Sequence, residues 1–337
     1  MEFQGITESS YVIKPVDASR ANMVPQVFRS IYGDNFPVEY VYHSDQIMSK
    51  IRAGCLKSSL ALDASGMPIG YIAMYMSAPS PGLWEACNLL VVPGCGSGDL
   101  AWALLQHYLH PENRSDTDCD GIFEEAVCHH YFTQLGCSKL GFVDCALALD
   151  HMDGASFREH APETGRVACL LQFYERSDGR EACYLPEQYF EFLQGLFAGL
   201  RPRTLLPGSA SLPVEGETKH YDKSFAAAGM WRVSVSSIGS GWGAFLDELL
   251  VQARLRQVVS LQVVLSVGLP YTSAAVEQMQ QRGFFMGGIF PRWFGADGIM
   301  MQQVLGKEPD YGGIKLYGTV AKSLLTFIQH DRESVTK

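Results

Sequence analysis

The chain has no CxxC pair among its nine cysteines, no run of five basic residues and no stretch of 18 apolar ones. Each absence excludes a class. Without paired cysteines there is no ribbon- or finger-type zinc module. Without clustered lysine and arginine there is no footprint for a nucleic-acid backbone, and basic residues are outnumbered, 26 against 36 acidic, for a formal net charge of −10. Without a long apolar run no membrane span is expected. The opening MEFQGITESS lacks the basic and apolar regions of a secretory signal. A cytoplasmic protein with reduced thiols packed as small hydrophobes is the expectation.

What is present is an ordinary globular composition, 47% hydrophobic and 18% charged over 337 residues. That length suits about two domains of roughly 150 residues each.

The most informative stretch is WEACNLLVVPGCGSGDLAWALLQHYLH, residues 84–110. It reads as a buried strand over Glu85–Val92, a stop at Pro93, a turn holding Gly94, Gly96 and Gly98, and a helix from Asp99 or Leu100. Glycines let a turn adopt positive φ and approach a ligand with bare backbone. The unpaired N–H groups of the following helix make such a turn an anion site suited to a pyrophosphate. A ligand-free strand-to-helix connection has the same composition, so the spacing has to decide.

V-x-P followed by G-x-G-x-G-x-L (Gly94 to Leu100) resembles the coenzyme A pyrophosphate loop of the GNAT superfamily of N-acyltransferases. The resemblance implies that Leu90, Val91, Val92, Gly96, Ser97, Gly98, Asp99 and Leu100 bind acetyl-CoA or another acyl-CoA as cosubstrate, with no metal. Anchored on Pro93, the family's usual Arg or Gln falls on Gly96, its first glycine on Ser97 and its last on Asp99. A lost cation and an added carboxylate both oppose a dianionic pyrophosphate, although Asp99 also suits a helix cap.

The order of elements extends the resemblance. A strand over Tyr11–Val16 leads to a helix marked by Met23, Val27 and Ile31, an aromatic loop (32–42), and a helix from about Ser44. Strands Ser59–Asp63 and Ile69–Ser77 flank an ASGMP turn. After residue 110 come strand Gly121–Cys128, helix Tyr131–Leu140 and strand Phe142–Leu149. This is the GNAT order, an α/β (α+β) mixed sheet. EAVCHHYFTQLGCSKLGF (125–142) is similar to a bacterial branch whose members carry a second, C-terminal half.

Beyond it lie strand Val167–Tyr174, helix Pro186–Leu200 and a linker, RPRTLLPGSASLPVEGE (201–217). Then come strands near 218–226 and 230–238, helix 242–256, strand Leu261–Val267, helix Ser273–Arg282, strands Phe284–Phe290 and Ile299–Val304, and a terminal helix (314–330). Aligning Gly141-Phe142 with Gly283-Phe284 brings strand, helix and strand of the two halves into register. The expected organisation is a GNAT-like acyl-CoA-binding domain (1–150), a connecting strand, helix and linker (151–217), and a degenerate GNAT-like domain (218–337). The turn before the 242–256 helix, IGSGWG, has glycines but no V-x-P before it.

In a GNAT reaction a base takes the proton of an attacking amine and an acid protonates the departing thiolate. The resemblance places the base at Glu85 and the acid at Tyr131, with Tyr108 less well placed. A solvated strand-end carboxylate and a space-filling aromatic are the plain alternatives. The family's usual Asn falls on Cys137. Cys119, Cys128, His129 and His130 do not make a metal set, because neighbours on a strand point to opposite faces. The implied activity is acyl transfer to a small-molecule or protein amine held under the 32–42 loop. Two alternatives remain: a non-catalytic sensor or scaffold with a regulatory protein partner, and a transferase using a carrier-protein pantetheine, which lacks the adenosine pyrophosphate. The apolar strands of the second half suit intramolecular pairing or a homodimer. No nucleic acid or membrane partner is expected.

Overall fold

The computed structural model describes residues 11–36, 38–95, 98–109, 119–154, 165–178 and 182–335. The chain forms two compact units: Met1–Met76 with Ala86–Asp116, and Ser77–Glu85 with Thr117–Lys337. It crosses from the second to the first within strand β4 (Leu83–Val91).

In the first unit β1 (Tyr11–Pro15), β2 (Leu56–Asp63) and β3 (Pro68–Tyr75) pair antiparallel in that order, with β4 beside β3. The ASGMP segment turns because the Asp63 side chain accepts hydrogen bonds from the amides of Ser65 and Met67, both 2.9 Å, while Gly66 takes φ +85°. Helices α1 (Val24–Tyr32) and α2 (Ser44–Arg52) cover one face; Val24, Val27 and Phe28 recur at helical spacing and bury against Leu60 and Tyr71. Helix α3 (Gly98–Leu109) covers the other face. There Gly70 leaves room for Leu104, and the Ser59 hydroxyl reaches His107 and Tyr108.

The second unit contains β5 (Gly121–Val127), β6 (Val143–Asp153), β7 (Arg166–Glu175), β8 (Ala182–Leu185), β9 (Thr204–Pro207), β10 (Lys219–Phe225), β11 (Met230–Ser237), β12 (Ser260–Ser266), β13 (Phe285–Phe294) and β14 (Ala296–Val304). Its helices are α4 (Phe132–Lys139), α5 (Phe190–Phe197), α6 (Trp242–Leu255), α7 (Thr272–Gln280) and α8 (Thr319–Val335). Eight strands form a mixed sheet in the order β5-β7-β6-β13-β14-β12-β11-β10, and β8 pairs with β9 separately.

The middle of that order reads alike from both ends. In β5-β7-β6 and in β12-β14-β13 every pairing is antiparallel, and each triplet is built as strand, helix, strand, strand. The helices also end alike. Gly141 and Gly283 have φ of +84° and +82°, and the amides of Phe142 and Phe284 reach back to the carbonyls of Cys137 and Met279 at 3.0 and 3.1 Å. This is a left-handed helix C-cap with a hydrophobic residue after it. The repeat expected from the Gly-Phe pairs is therefore a repeat of topology.

The two triplets meet at one backbone pair, Gly288 with Ala146. Side chains supply much of the rest of the seam. The Gln302 amide donates to the Leu147 carbonyl and accepts from the Leu149 amide, both at 2.9 Å, and the Ser260 hydroxyl donates to the Leu149 carbonyl at 3.0 Å. Buried main-chain groups need such partners where a ladder is interrupted.

Three expectations are corrected in detail. The 201–217 linker contains β9, held because Arg203 is buried and ion-paired to both Glu175 and Asp297. The 186–200 helix begins as a 3-10 turn (Glu187–Tyr189), with α5 starting only at Phe190. The terminal helix starts at Thr319 because 315–317 is tied to the α4 region: the Lys315 amide bonds the Cys128 carbonyl at 2.7 Å, and Gln134 bonds Lys315 and Tyr317.

Candidate active site

Strand β4 carries both sets of expected residues. In its first-unit part Leu90 is buried in the core and the Val92 amide closes the ladder on the Ile69 carbonyl at 2.9 Å. Pro93 then stops the strand, Gly94 takes φ +78°, and the Cys95 amide turns back onto the Val92 carbonyl at 3.0 Å. A Cβ at Gly94 or Gly98 would meet nothing within 4 Å, so the described edges of the turn are open. Gly98 and Asp99 begin α3 at the surface and Leu100 anchors it in the interior. Gly96 and Ser97 lie outside the described residues.

One feature of β4 carries no sequence signal. Asn88 sits inside the strand with φ +55°, a left-handed conformation that few residues other than glycine adopt. It breaks the alternation of side chains between Glu85 and Leu90. Such outliers persist only where surroundings enforce them, and they concentrate at functional sites.

Glu85, in the second unit, is not a solvated strand end. Its carboxylate keeps 19% exposure and lies 4.0 Å from the Lys223 ammonium on β10. Burial raises its pKa, Lys223 pulls it down, Glu125 pushes it up again, and the net shift is upward. Nearby, Glu125 of β5 bonds Arg232 of β11 at 2.6 Å and His151 of β6 at 2.9 Å. Gln262 of β12 completes a closed ring, accepting from Arg232 Nε at 2.7 Å and donating to His151 Nδ1 at 2.8 Å. With Nδ1 accepting, the hydrogen on the imidazole Nε2 faces Glu125. The Arg232 guanidinium also lies 5.2 Å from the Phe290 ring and 5.5 Å from that of Trp293.

Strands β5 and β11 stand far apart in the sheet order, yet their side chains pair. The sheet of the second unit curls until Glu85 and Glu125 at one end face Lys223 and Arg232 at the other. Burial acts to raise the Glu125 pKa, but Arg232 and His151 hold it well below the usual range. Its neighbour Glu124 points to the opposite face, beside Asp144. There burial, with repulsion from Glu125 and Asp144, pushes its pKa well up.

Tyr131 stands exposed at the N-cap of α4, its ring 6.4 Å from that of Tyr317. Among the described residues no hydrogen bond or ion pair joins it to Glu85. Tyr108, in the first unit, is half-buried; desolvation pushes its hydroxyl up to about 12, and it accepts a hydrogen bond from the Ser59 hydroxyl. Cys137 is buried in α4. Among the described residues no group of three or more His, Cys, Asp or Glu side chains could hold a metal ion, and no helix is long and apolar enough to cross a membrane.

The glycine turn of the second half, 238–241, is covered by the chain itself. The Gly239 amide donates to the Thr218 hydroxyl at 3.2 Å, and a Cβ at Gly239 would strike Gly216 and Glu217. Residue Trp242, at the start of α6, is fully buried.

No protein-family model matches the chain, and no curated protein matches it in sequence. Among solved structures it is similar to GNAT acetyltransferases over half its length. Spermidine/spermine N-acetyltransferase SpeG from Vibrio cholerae is 11% identical, covering 50% of this chain and 93% of that one, with a TM-score of 0.38. Arabidopsis thaliana NAA60 in complex with a bisubstrate analogue is 15% identical, over 49% and 98%, with a TM-score of 0.37. A putative acetyltransferase of the GNAT family from Desulfovibrio desulfuricans is 17% identical, over 49% and 99%, with a TM-score of 0.36. One SpeG structure is a complex with CoA and spermine.

Proposed function

We propose that the protein is an acyltransferase that moves an acetyl or longer acyl group from coenzyme A to an amine. The observation that carries this reading is strand β4. A partly buried carboxylate, a left-handed residue, a proline stop, a glycine turn and a helix N-terminus follow one another within 15 residues, Glu85 to Asp99. In this reading residues 90–92 bind the thioester arm through their backbone, and Gly96, Ser97, Gly98, Asp99 and Leu100 surround the pyrophosphate. Glu85 takes the proton of the amine as nitrogen attacks the thioester carbonyl. The C–S bond then breaks and the thiolate leaves, protonated by Tyr131 or by water. A raised carboxyl pKa suits Glu85 to this task, because a base works best with a pKa near the working pH.

The domain reading is 1–150 as the acyl-CoA-binding unit, 151–217 as the connection, and 218–337 as a degenerate copy. The occupied 238–241 turn supports that last assignment. A second reading is favoured by Asp99, whose carboxylate lies in the first turn of α3. It repels a pyrophosphate, which suits a carrier-protein pantetheine or a cleft turned scaffold.

The test follows thiol release from acetyl-CoA with a panel of primary amines. Turnover is expected with at least one amine, and Glu85→Gln should lower kcat by about 100-fold. Undiminished turnover in that variant removes Glu85 from the role. No thiol release with any amine counts against the enzyme reading as a whole.

A further inference from the structure

Within the second unit two short segments carry a cluster of rings that the fold leaves outside. Phe132 keeps 73% exposure, Tyr317 49% and Tyr131 46%, and Val320, close beyond Tyr317 in sequence, keeps 42%. The Tyr131 ring lies 5.8 Å from that of Phe132 and 6.4 Å from that of Tyr317. Rings that only sealed the core would be buried. These are also held from beneath. The fully buried Gln134 side chain donates to the carbonyls of His130 and Lys315, at 3.2 and 3.0 Å, and accepts from the Tyr317 amide at 3.1 Å. A rigid, exposed aromatic surface suits protein binding, because little ordering remains to be done when a partner arrives.

The charge around these rings runs against that of the chain. Residues 126–143 and 311–330 contain Lys139, Lys315 and Lys322 and no aspartate or glutamate, in a chain where acids outnumber bases 36 to 26. Lys315 and Lys322 are exposed, one on each side of Tyr317 in sequence, and the Lys322 amide bonds the Gly318 carbonyl at 3.2 Å. Asp144, the acid beside Gly318, is buried and accepts a hydrogen bond from Gln172 at 2.7 Å. The face is thus aromatic with lysines beside it, which fits an acidic partner. A two-fold pairing of copies through this face would bring the lysines of both copies together. Nucleic acid and anionic lipid present their charge to the whole surface, and a net charge of −10 repels them. A short acidic peptide meets only the lysines.

The geometry points to a docking surface for an acidic peptide segment of a partner protein, anchored by an aromatic or aliphatic side chain. The anchor packs on Tyr131, Phe132 and Tyr317, and the acidic residues flanking it reach Lys315 and Lys322. Burial of the rings supplies most of the affinity, while the lysines select the acidic sequence and speed its approach. The surface is independent of the acyl-transfer reading.

The test is selection from a random-peptide display library with the full chain as bait, followed by fluorescence anisotropy of the enriched peptides. Enriched sequences should hold acidic residues around a large apolar one, and their binding should weaken as salt is raised. Affinity should fall by about tenfold or more in Phe132→Ser and in the double variant Lys315→Glu with Lys322→Glu. Both variants change exposed side chains, so an unchanged Tm should accompany the loss. Enrichment of neutral or basic sequences, no enrichment at all, or an affinity that survives both changes would each overturn the proposal. So would a single-stranded oligonucleotide or a phosphatidylserine vesicle that binds this face more tightly than the best peptide. Self-association of the chain that the double variant abolishes would overturn it too, assigning the face to a second copy. Thiol release from acetyl-CoA is read separately with Tyr131 in place, so the failure of either reading leaves the other standing.

Discussion

Glu124 and Glu125 are consecutive on β5 and experience opposite surroundings. Glu125 faces Arg232 and His151 and is held ionised, whereas Glu124 faces Asp144 with one buried oxygen lacking a hydrogen-bond partner. The folded pKa of Glu124 stands above its ordinary 4.5. Stability from its neutral form is therefore full below that value and is lost as pH rises through the folded pKa. Glu124→Gln keeps the shape of the neutral acid without the ionisation. It should raise Tm at pH 8 by at least about 2 °C and flatten the decline of Tm between pH 5 and 8. A variant that keeps the wild-type pH slope would show that Glu124 is not the titrating group. Glu85 could be picked from the sequence, because it opens the strand that leads into V-x-P. Arg232 could not: it lies 107 residues from Glu125, and only the curl of the sheet joins them. Nor could Asn88, since nothing in EACNLLVV announces a left-handed residue in mid-strand.

At the scale of elements, legibility followed local chemistry. The ASGMP turn, the Pro93 stop and the two Gly-Phe helix caps were readable because each depends on residues within a few positions. Strand β9 was not, because the partners that hold it, Glu175 and Asp297, lie 28 and 94 positions from Arg203. The seam between the repeats was likewise hidden. Gly288 adopts φ +130°, and a Cβ there would collide with the Cys145 carbonyl and Ala146 across the pairing. Gly288→Ala should therefore cost more than Gly283→Ala. The latter carries mainly the conformational penalty of a positive φ, about 1 kcal/mol. The former adds a clash with backbone, for a total of about 2–4 kcal/mol. Urea unfolding of both variants decides the matter. Equal losses would mean that β6 and β13 approach less closely at this point.

For the whole molecule the central claim is that the chain uses acyl-CoA despite a net charge of −10 and a carboxylate at the head of α3. The backbone supports the claim and the side chains oppose it. Glycines and helix N–H groups suit the ligand, while Asp99 and the absent cation do not. A thermal-shift titration with acetyl-CoA, free CoA and a longer acyl-CoA weighs the two directly. A ligand bound by the native state adds about 2.7 kcal/mol of stability at a hundredfold excess over Kd. The account predicts a saturating rise in Tm with at least one acyl-CoA, larger in Asp99→Gly because the opposing carboxylate is gone. No rise with any of the three, in the wild type and in Asp99→Gly alike, would contradict it.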